Sequence, residues 1–267
     1  MTFREKIEHQ ALMARREMVR SKELLTSGEF RERLGVSEGR LARMISAGSV
    51  FSIDVDDVQY FPALLTDPSV DRRRLQSVCR ILVPAPPDCR LGYLSSRRSN
   101  LGGITPLAAM AEGESYRHLR QMARAYAAEW SRTSVKIYAD LSEPAKTEPM
   151  YVAVCEIDPR VNLWKRAIEA MDAGGYIAPS GPYPALEKAT VSILRTEAGH
   201  ADETQEAQMD VNIVDGVARV VIRSRGADRD PDAFSVDGTD SIVDVVRRVM
   251  IGLRRTQSRK QGRKKGD

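Results

Sequence analysis

The chain has 267 residues and a mass of 29.7 kDa, enough for two or three modules of about 60–150 residues each. Apolar residues make up 42% and charged residues 29%, which excludes a disordered or fibrous chain; no apolar run approaches the roughly 20 residues of a bilayer helix, and the opening MTFREKIEHQ lacks the apolar core of a secretory signal. The net charge of +4 is uneven: Arg254–Asp267 carries seven Lys or Arg against one acid, so this tail is +6 and the rest of the chain sums to −2.

Phe3 to Leu25 has a helical pattern, with Ile7, Ala11, Ala14, Met18 and Leu25 on one stripe and charge opposite. Thr26-Ser27-Gly28-Glu29 fits a capping box with Leu25 and Phe30 as its staple, so a helix should start there and stop at Gly35. Ser37 caps a second helix that ends at Gly48. The pair reads as a helix-turn-helix with Phe30, Leu34, Val36, Leu41 and Ile45 inward, and Glu38, Gly39, Arg40, Arg43 and Ser46 outward. Val50–Pro62 alternates about Asp56-Asp57 as a small hairpin, or wing, with Phe51, Ile53, Val55, Val58 and Tyr60 on its apolar face.

Arg72–Val83 forms another helix, broken by Pro84-Ala85-Pro86-Pro87. Thr105 with Pro106 starts a short helix that Gly113 stops, and a longer one runs from Ser115 to Trp130. Leu141–Pro149 has the composition of a linker. Beyond it, strands are expected at Tyr151–Ile157, Ala189–Thr196, Gln208–Val214 and Val217–Arg223, with helices at Arg160–Ala173 and Ser241–Leu253. Asp215-Gly216 is a two-residue hairpin turn that puts Met209, Val211, Ile213, Ala218, Val220 and Ile222 on one face. The expected fold is multi-domain: an N-terminal all-α helix-turn-helix with a small β wing (1–66), a helical middle domain (67–140), a linker (141–149), a C-terminal α+β domain with an antiparallel sheet covered on one face by two helices (150–253), and a basic disordered tail (254–267).

The chemistry in this pattern points to double-stranded DNA. Arg40 and Arg43 offer paired donors to guanine edges or phosphate, Ser46 can hold a phosphate, and Ser37 and Glu38 open the same helix. Arg254, Arg255, Lys260, Arg263, Lys264 and Lys265 would add sequence-independent phosphate contact. No catalytic, metal or cofactor residue is assigned. His9, His118 and His200 lack ligand spacing, no nucleophile elbow or P-loop occurs, and the odd, scattered Cys79, Cys89 and Cys155 fit a reducing cytoplasm.

Gly92-Tyr93-Leu94-x-Ser96, then Leu101-Gly102-Gly103-x-Thr105-Pro106-Leu107-x-Ala109, then Glu112-Gly113, resembles the toxin-binding domain of antitoxins of the Xre/MbcA/ParS type. Phe30–Pro62 is similar to winged MerR-like or excisionase-like modules in its ERLGVS core and G-x-V-F wing entry. The resemblance implies a helix-turn-helix upstream of a small helical domain, autorepression of a toxin–antitoxin operon and a RES-type toxin as partner, with Leu101, Gly102, Gly103, Thr105 and Pro106 structural. The expected assembly is a homodimer, because paired recognition helices read half-sites about one helical turn apart. The alternative is a ligand-sensing or enzymatic α+β domain tethered to a DNA-binding module.

Overall fold

A computed structural model describes the chain except for residues 1, 140–147, 173–175, 179–180, 199, 201, 225–228, 238 and 264–267. It is a mixed α and β protein that divides into two compact units, Met1–Ala127 and Ala128–Asp267.

The first unit opens with α1 (Phe3–Arg20), whose Thr2 and Glu5 form a capping box. The expected helix to Leu25 stops five residues early. Lys22 turns the chain at φ +61°, and Leu24–Leu25 become a short strand, β1, paired with Phe61–Pro62. Two buried leucines on adjacent positions suit a strand whose sides face separate clusters: Leu24 packs with Ile53 and Val55, and Leu25 with Phe30 and Phe61. In α1, Leu12, Met18 and Val19 pack against the first of these clusters, while Phe3, Ile7 and Met13 are exposed.

Next come α2 (Ser27–Leu34), α3 (Glu38–Ser46), β2 (Ile53–Val55), β3 (Val58–Pro62), α4 (Arg72–Ile81), α5 (Pro87–Ser95), α6 (Pro106–Ala109) and α7 (Gly113–Ala128). The sheet order is β1-β3-β2. A single core runs from Leu25 to Ala123 through α2, α3, α4, α5, α6 and α7. The boundary drawn at 66/67 therefore crosses a continuous core, because Leu75, Val78 and Cys79 of α4 complete the packing of Phe30, Leu41 and Met44. In the segment around the LGG sequence, Gly102 and Gly103 take φ +72° and +78°, and Thr105 caps α6. The Arg98 guanidinium lies 4.4 Å from the Tyr93 ring centroid and so clamps this turn to the core.

The second unit is built on β4 (Ser131–Ala139), β5 (Tyr151–Glu156), α8 (Leu163–Asp172), β6 (Tyr176–Ala178), β7 (Lys188–Glu197), β8 (Glu203–Val214), β9 (Val217–Ser224), β10 (Arg229–Ser235) and α9 (Ile242–Arg263). The antiparallel sheet runs β10-β9-β8-β7-β4-β5-β6. Strand β4 corrects the expected domain boundary at 141–149. It pairs on both sides, with β5 and β7, and so stands inside the sheet ahead of the expected linker, most of which lies outside the described residues. The hairpin about Asp215-Gly216 has the expected register, Ile213 opposite Ala218, Val211 opposite Val220 and Met209 opposite Ile222. Helices α8 and α9 pack on that apolar face through Trp164, Ala167, Val245, Val246, Val249 and Leu253.

A bulge in β8 sets one further feature. Ile193 pairs with Ala207 and Leu194 with Gln205, which leaves Glu206 as the extra residue. Such a residue is re-aimed relative to the strand's alternation. Its carboxylate accepts two hydrogen bonds from the buried Arg166 of α8, at 2.8 and 3.0 Å, and Arg166 also donates to Thr133 Oγ1 and the Val161 carbonyl.

The tail departs from its expected disorder over its first ten residues, since α9 runs on through Arg254 to Arg263. Extending a helix already anchored by Ile242–Leu253 adds a hydrogen bond per residue without a new nucleation cost. Lys264 and Lys265 lie outside the described residues.

Candidate nucleic-acid interface

The α2–α3 pair is fixed at each end by local chemistry. Thr26 Oγ1 accepts from Glu29 N–H while the Glu29 carboxylate accepts from Thr26 N–H, closing the capping box. Lys22 also donates to Glu29 at 2.6 Å, and these partners pull its carboxyl down to about 2. At the other end Gly35 adopts φ +66°, Gly35 N–H donates to Glu32 O and Val36 N–H to Arg31 O, a pairing that satisfies the last carbonyls of α2. Ser37 then caps α3 by accepting from Arg40 N–H at 3.3 Å. Gly48 ends α3 in the same way as Gly35 ends α2, with Gly48 N–H to Ile45 O and Ser49 N–H to Met44 O. A Cβ at Gly48 would stand 2.4 Å from Val83 Cγ2, so this position demands glycine twice over.

Leu41 and Met44 of α3 are buried. Ile45, expected inward, is 36% exposed. Both Met44 and Ile45 fit the helical spacing from Leu41, and the packing selects Met44. The outward residues are Glu38, Gly39, Arg40, Arg43 and Ser46, all exposed. Among the described residues neither Arg40 nor Arg43 has an ion pair, so both guanidinium groups face solvent with their donors available. Glu38 stands 3.5 Å from Arg31, which offsets its charge at the start of the helix. The Ser37 hydroxyl is already engaged as the cap.

The hairpin that would serve as a wing turns at Asp56-Asp57 as expected, with both residues at positive φ and Val55 opposite Val58. Ile53 and Val55 are buried, but Val58 is 49% exposed because it lies at the tip. The tip is acidic, with Asp54, Asp56 and Asp57. Asp56 accepts two hydrogen bonds from Arg16 of α1, at 2.7 and 2.8 Å, which depress its pKa and raise that of Arg16. An acidic tip tied to α1 opposes contact with phosphate.

Arg254 and Arg255 are exposed on α9, and the same helix carries the backbone of Lys260 and Arg263.

Two basic residues near α3 escaped the sequence reading. Arg72 Nη1 reaches Leu34 O at the end of α2 (3.5 Å), and Arg80 Nη1 donates to Ser49 Oγ just beyond α3 (2.8 Å). Arg72 near the start of α4 thus meets the end of α2, and Arg80 near its end meets the residue that follows the Gly48 stop of α3. The i, i+4, i+8 spacing of Arg72, Gln76 and Arg80 was the available signal.

Elsewhere the ingredients of catalysis are sparse. A cleft of about 360 Å³ above the LGG turn is lined by Asn100, Gly102, Glu114, Ser115 and His118, and His118 Nε2 sits 3.0 Å from Asn100 O. Burial pushes the Cys79 thiol up to about 12 and raises those of Cys89 and Cys155, so all three favour the unreactive thiol form. Among the described residues no group of three His, Cys, Asp or Glu converges as a metal site, and no helix is long and apolar enough to cross a membrane.

No family model, no curated protein and no solved structure matches the chain.

Proposed function

We propose that the chain is a DNA-binding regulator that presents α3 to the major groove. In this reading α2 and α3 form a helix-turn-helix, the segment around Leu101–Pro106 is antitoxin-like, and a homodimer reads two half-sites. The observation that carries it is the outward face of α3: Arg40 and Arg43 are exposed, have no carboxylate against them among the described residues, and sit on a helix held at both ends by caps. Arginine in this setting serves both guanine edges and phosphate. The acidic hairpin tip is excluded from the interface, so affinity is assigned to α3 and to the basic stretch of α9, with Arg254 and Arg255 supplying salt-sensitive contact.

The test is selection of bound duplexes from a random-sequence DNA pool by the full chain, followed by titration of the enriched duplex. Arg40→Ala and Arg43→Ala should each weaken binding by about 1–3 kcal/mol where the side chain meets a base or a buried phosphate. Failure to enrich any sequence, or retention unchanged by the double substitution, would overturn the reading. The antitoxin role and a RES-type toxin partner belong to the same proposal, and co-expression with such a toxin tests them through relief of growth arrest.

A further inference from the structure

We infer that α1 is the seam through which two copies of this chain pair, antiparallel, along the stripe Phe3, Ile7, Ala11 and Ala14. The inference rests on the homodimer of the DNA-binding reading and names the surface that joins its copies. The pairing needs no DNA, so it can fail while α3 still binds a duplex.

Helix α1 packs on its own unit through its second half. Leu12, Met18 and Val19 pack against Leu24, Ile53 and Val55, and Arg15 and Arg16 are tied to Asp88 and Asp56 at 2.6 and 2.7 Å. Among the described residues every one from Phe3 to Ala11 is exposed, although the capping box of Thr2 and Glu5 fixes the start of the helix. Phe3 is 80% and Ile7 49% exposed, and the exposed Ala11 and Ala14 continue their line at helical spacing. Ala14 follows Leu12 by two residues and is turned about 200° from it, so the stripe is not the packed side of the helix. Large apolar side chains in line on an otherwise charged helix mark an association surface.

The stripe's own sequence selects a second copy as the occupant. Turned end for end about a point near Ala11, it matches itself: Phe3 falls beside Met18 of the second copy and Ile7 beside Ala14, so each large side chain of the first turns has a place on the other helix. A self-complementary surface of this kind is what a two-fold contact requires. The charges agree. Lys6 and Glu17 are both exposed and stand eleven residues apart, about three turns, so they lie on one flank of the stripe. Antiparallel helices bring like flanks together, so Lys6 of each copy meets Glu17 of the other. Glu17 is paired with Arg20 one turn along its own helix, but both side chains are largely exposed, and such a pair is weak enough to be shared.

Sedimentation equilibrium of the full chain without DNA reads the mass as concentration rises, and a dimer of twice 29.7 kDa is expected. Ile7→Ser should weaken pairing about ten- to a hundredfold, because two copies of the side chain leave the seam together. Lys6→Glu and Glu17→Lys should each weaken it several-fold. An equimolar mixture of these two variants should pair as tightly as the unaltered chain, since each supplies the charge the other lacks; this recovery in trans carries the test if Ile7→Ser disturbs the helix. Failure of the mixture to recover would overturn the antiparallel seam. A dimer indifferent to all three substitutions would place the contact elsewhere and overturn the inference while leaving the homodimer intact. A monomer at every concentration would overturn both, and monomers that bind vesicles of anionic lipid and lose that binding with Ile7→Ser would assign the stripe to a membrane surface instead. Titration of the same samples with the enriched duplex scores α3 apart: a monomer that still binds it leaves the role of α3 standing.

Discussion

Replacing Glu206 by Ala should destabilise the second unit far more than replacing the whole ion pair. Arg166 is 3% exposed and makes four hydrogen bonds, two of them to Glu206. Truncating Glu206 leaves a buried guanidinium hydrogen-bonded only to the neutral Thr133 hydroxyl and Val161 carbonyl among the described residues, with the nearby Asp158 carboxylate offsetting part of its charge. Breaking one side of a buried pair costs about 3–5 kcal/mol. The Glu206 side chain is 20% exposed, so some water can reach the vacated site, and the lower end, about 3 kcal/mol, is expected. That corresponds to a hundredfold change or more in the unfolding equilibrium, at about 1.4 kcal/mol per factor of ten. Arg166→Met with Glu206→Leu removes both charges and both desolvation costs but leaves Thr133 and the Val161 carbonyl without their donor, so it should cost clearly less than the single substitution. Urea unfolding of the full chain followed by tryptophan fluorescence reads this unit selectively, because both tryptophans, Trp130 and Trp164, belong to it. A loss under about 1 kcal/mol for Glu206→Ala, or a double variant as unstable as the single one, would refute the argument from charge burial.

Two other consequences are open to measurement. The Glu29 carboxyl is held down to about 2 by Lys22 and Thr26, so its folded value lies below its unfolded one; its stabilising contribution is complete above the usual 4.5 and disappears as pH falls through about 2. The acid-unfolding curves of the unaltered chain and of Glu29→Gln should converge at the acid end, and a Glu29 titration near the usual carboxylate range, read by NMR, would contradict the capping geometry. Gly252 of α9 is overlaid by the Phe234 ring, and a Cβ there would stand 2.3 Å from Phe234 Cε1. In Gly252→Ala, overpacking of about 1–3 kcal/mol should outweigh or cancel the roughly 1 kcal/mol that alanine gains over glycine inside a helix, with Phe234→Leu relieving part of the clash; a Gly252→Ala chain stabilised by that full helix gain of about 1 kcal/mol would rule the clash out.

The parts of the fold that were legible in sequence are those set by neighbours in the chain. The Thr26–Glu29 box, the Gly35 and Gly48 stops, the Ser37 cap and the Asp215-Gly216 register each depend on a few adjacent residues. What was missed depends on distant ones. Strand β4 (SRTSVKIYA) follows α7 after two residues, and its buried pattern fills both faces because it lies inside a sheet. Its β7 partner begins nearly fifty residues later, and no local pattern announces that pairing. The choice of Met44 over Ile45 as the buried residue of α3 was likewise decided by the core around it, and distant packing brings Arg72 to Leu34 O and Arg80 to Ser49. Arg40 and Arg43 were legible because outwardness on a short amphipathic helix is a local property.

The charge pattern of the first unit constrains how DNA binding would have to work. Its hairpin tip is acidic, and Arg16, which faces that tip, is held by Asp56, so a wing-type phosphate contact is unavailable. One α3 then brings two arginines. Neutralising about two phosphates would give a log–log salt slope near −1.8, well short of the slope of a protein that makes about six to ten phosphate contacts. Two routes close that gap: a second copy, which doubles the contacts and turns sequence reading into a half-site pair, or the basic continuation of α9, which adds charge without reading bases. The two routes leave different marks. Doubling by a second copy makes the slope depend on protein concentration and requires a two-fold site, whereas a contribution from α9 survives in a monomer and vanishes when Arg254–Asp267 is removed. The salt slope of the full chain, compared with that of the truncated one, therefore separates an assembly that reads DNA in pairs from a monomer that holds it by its tail.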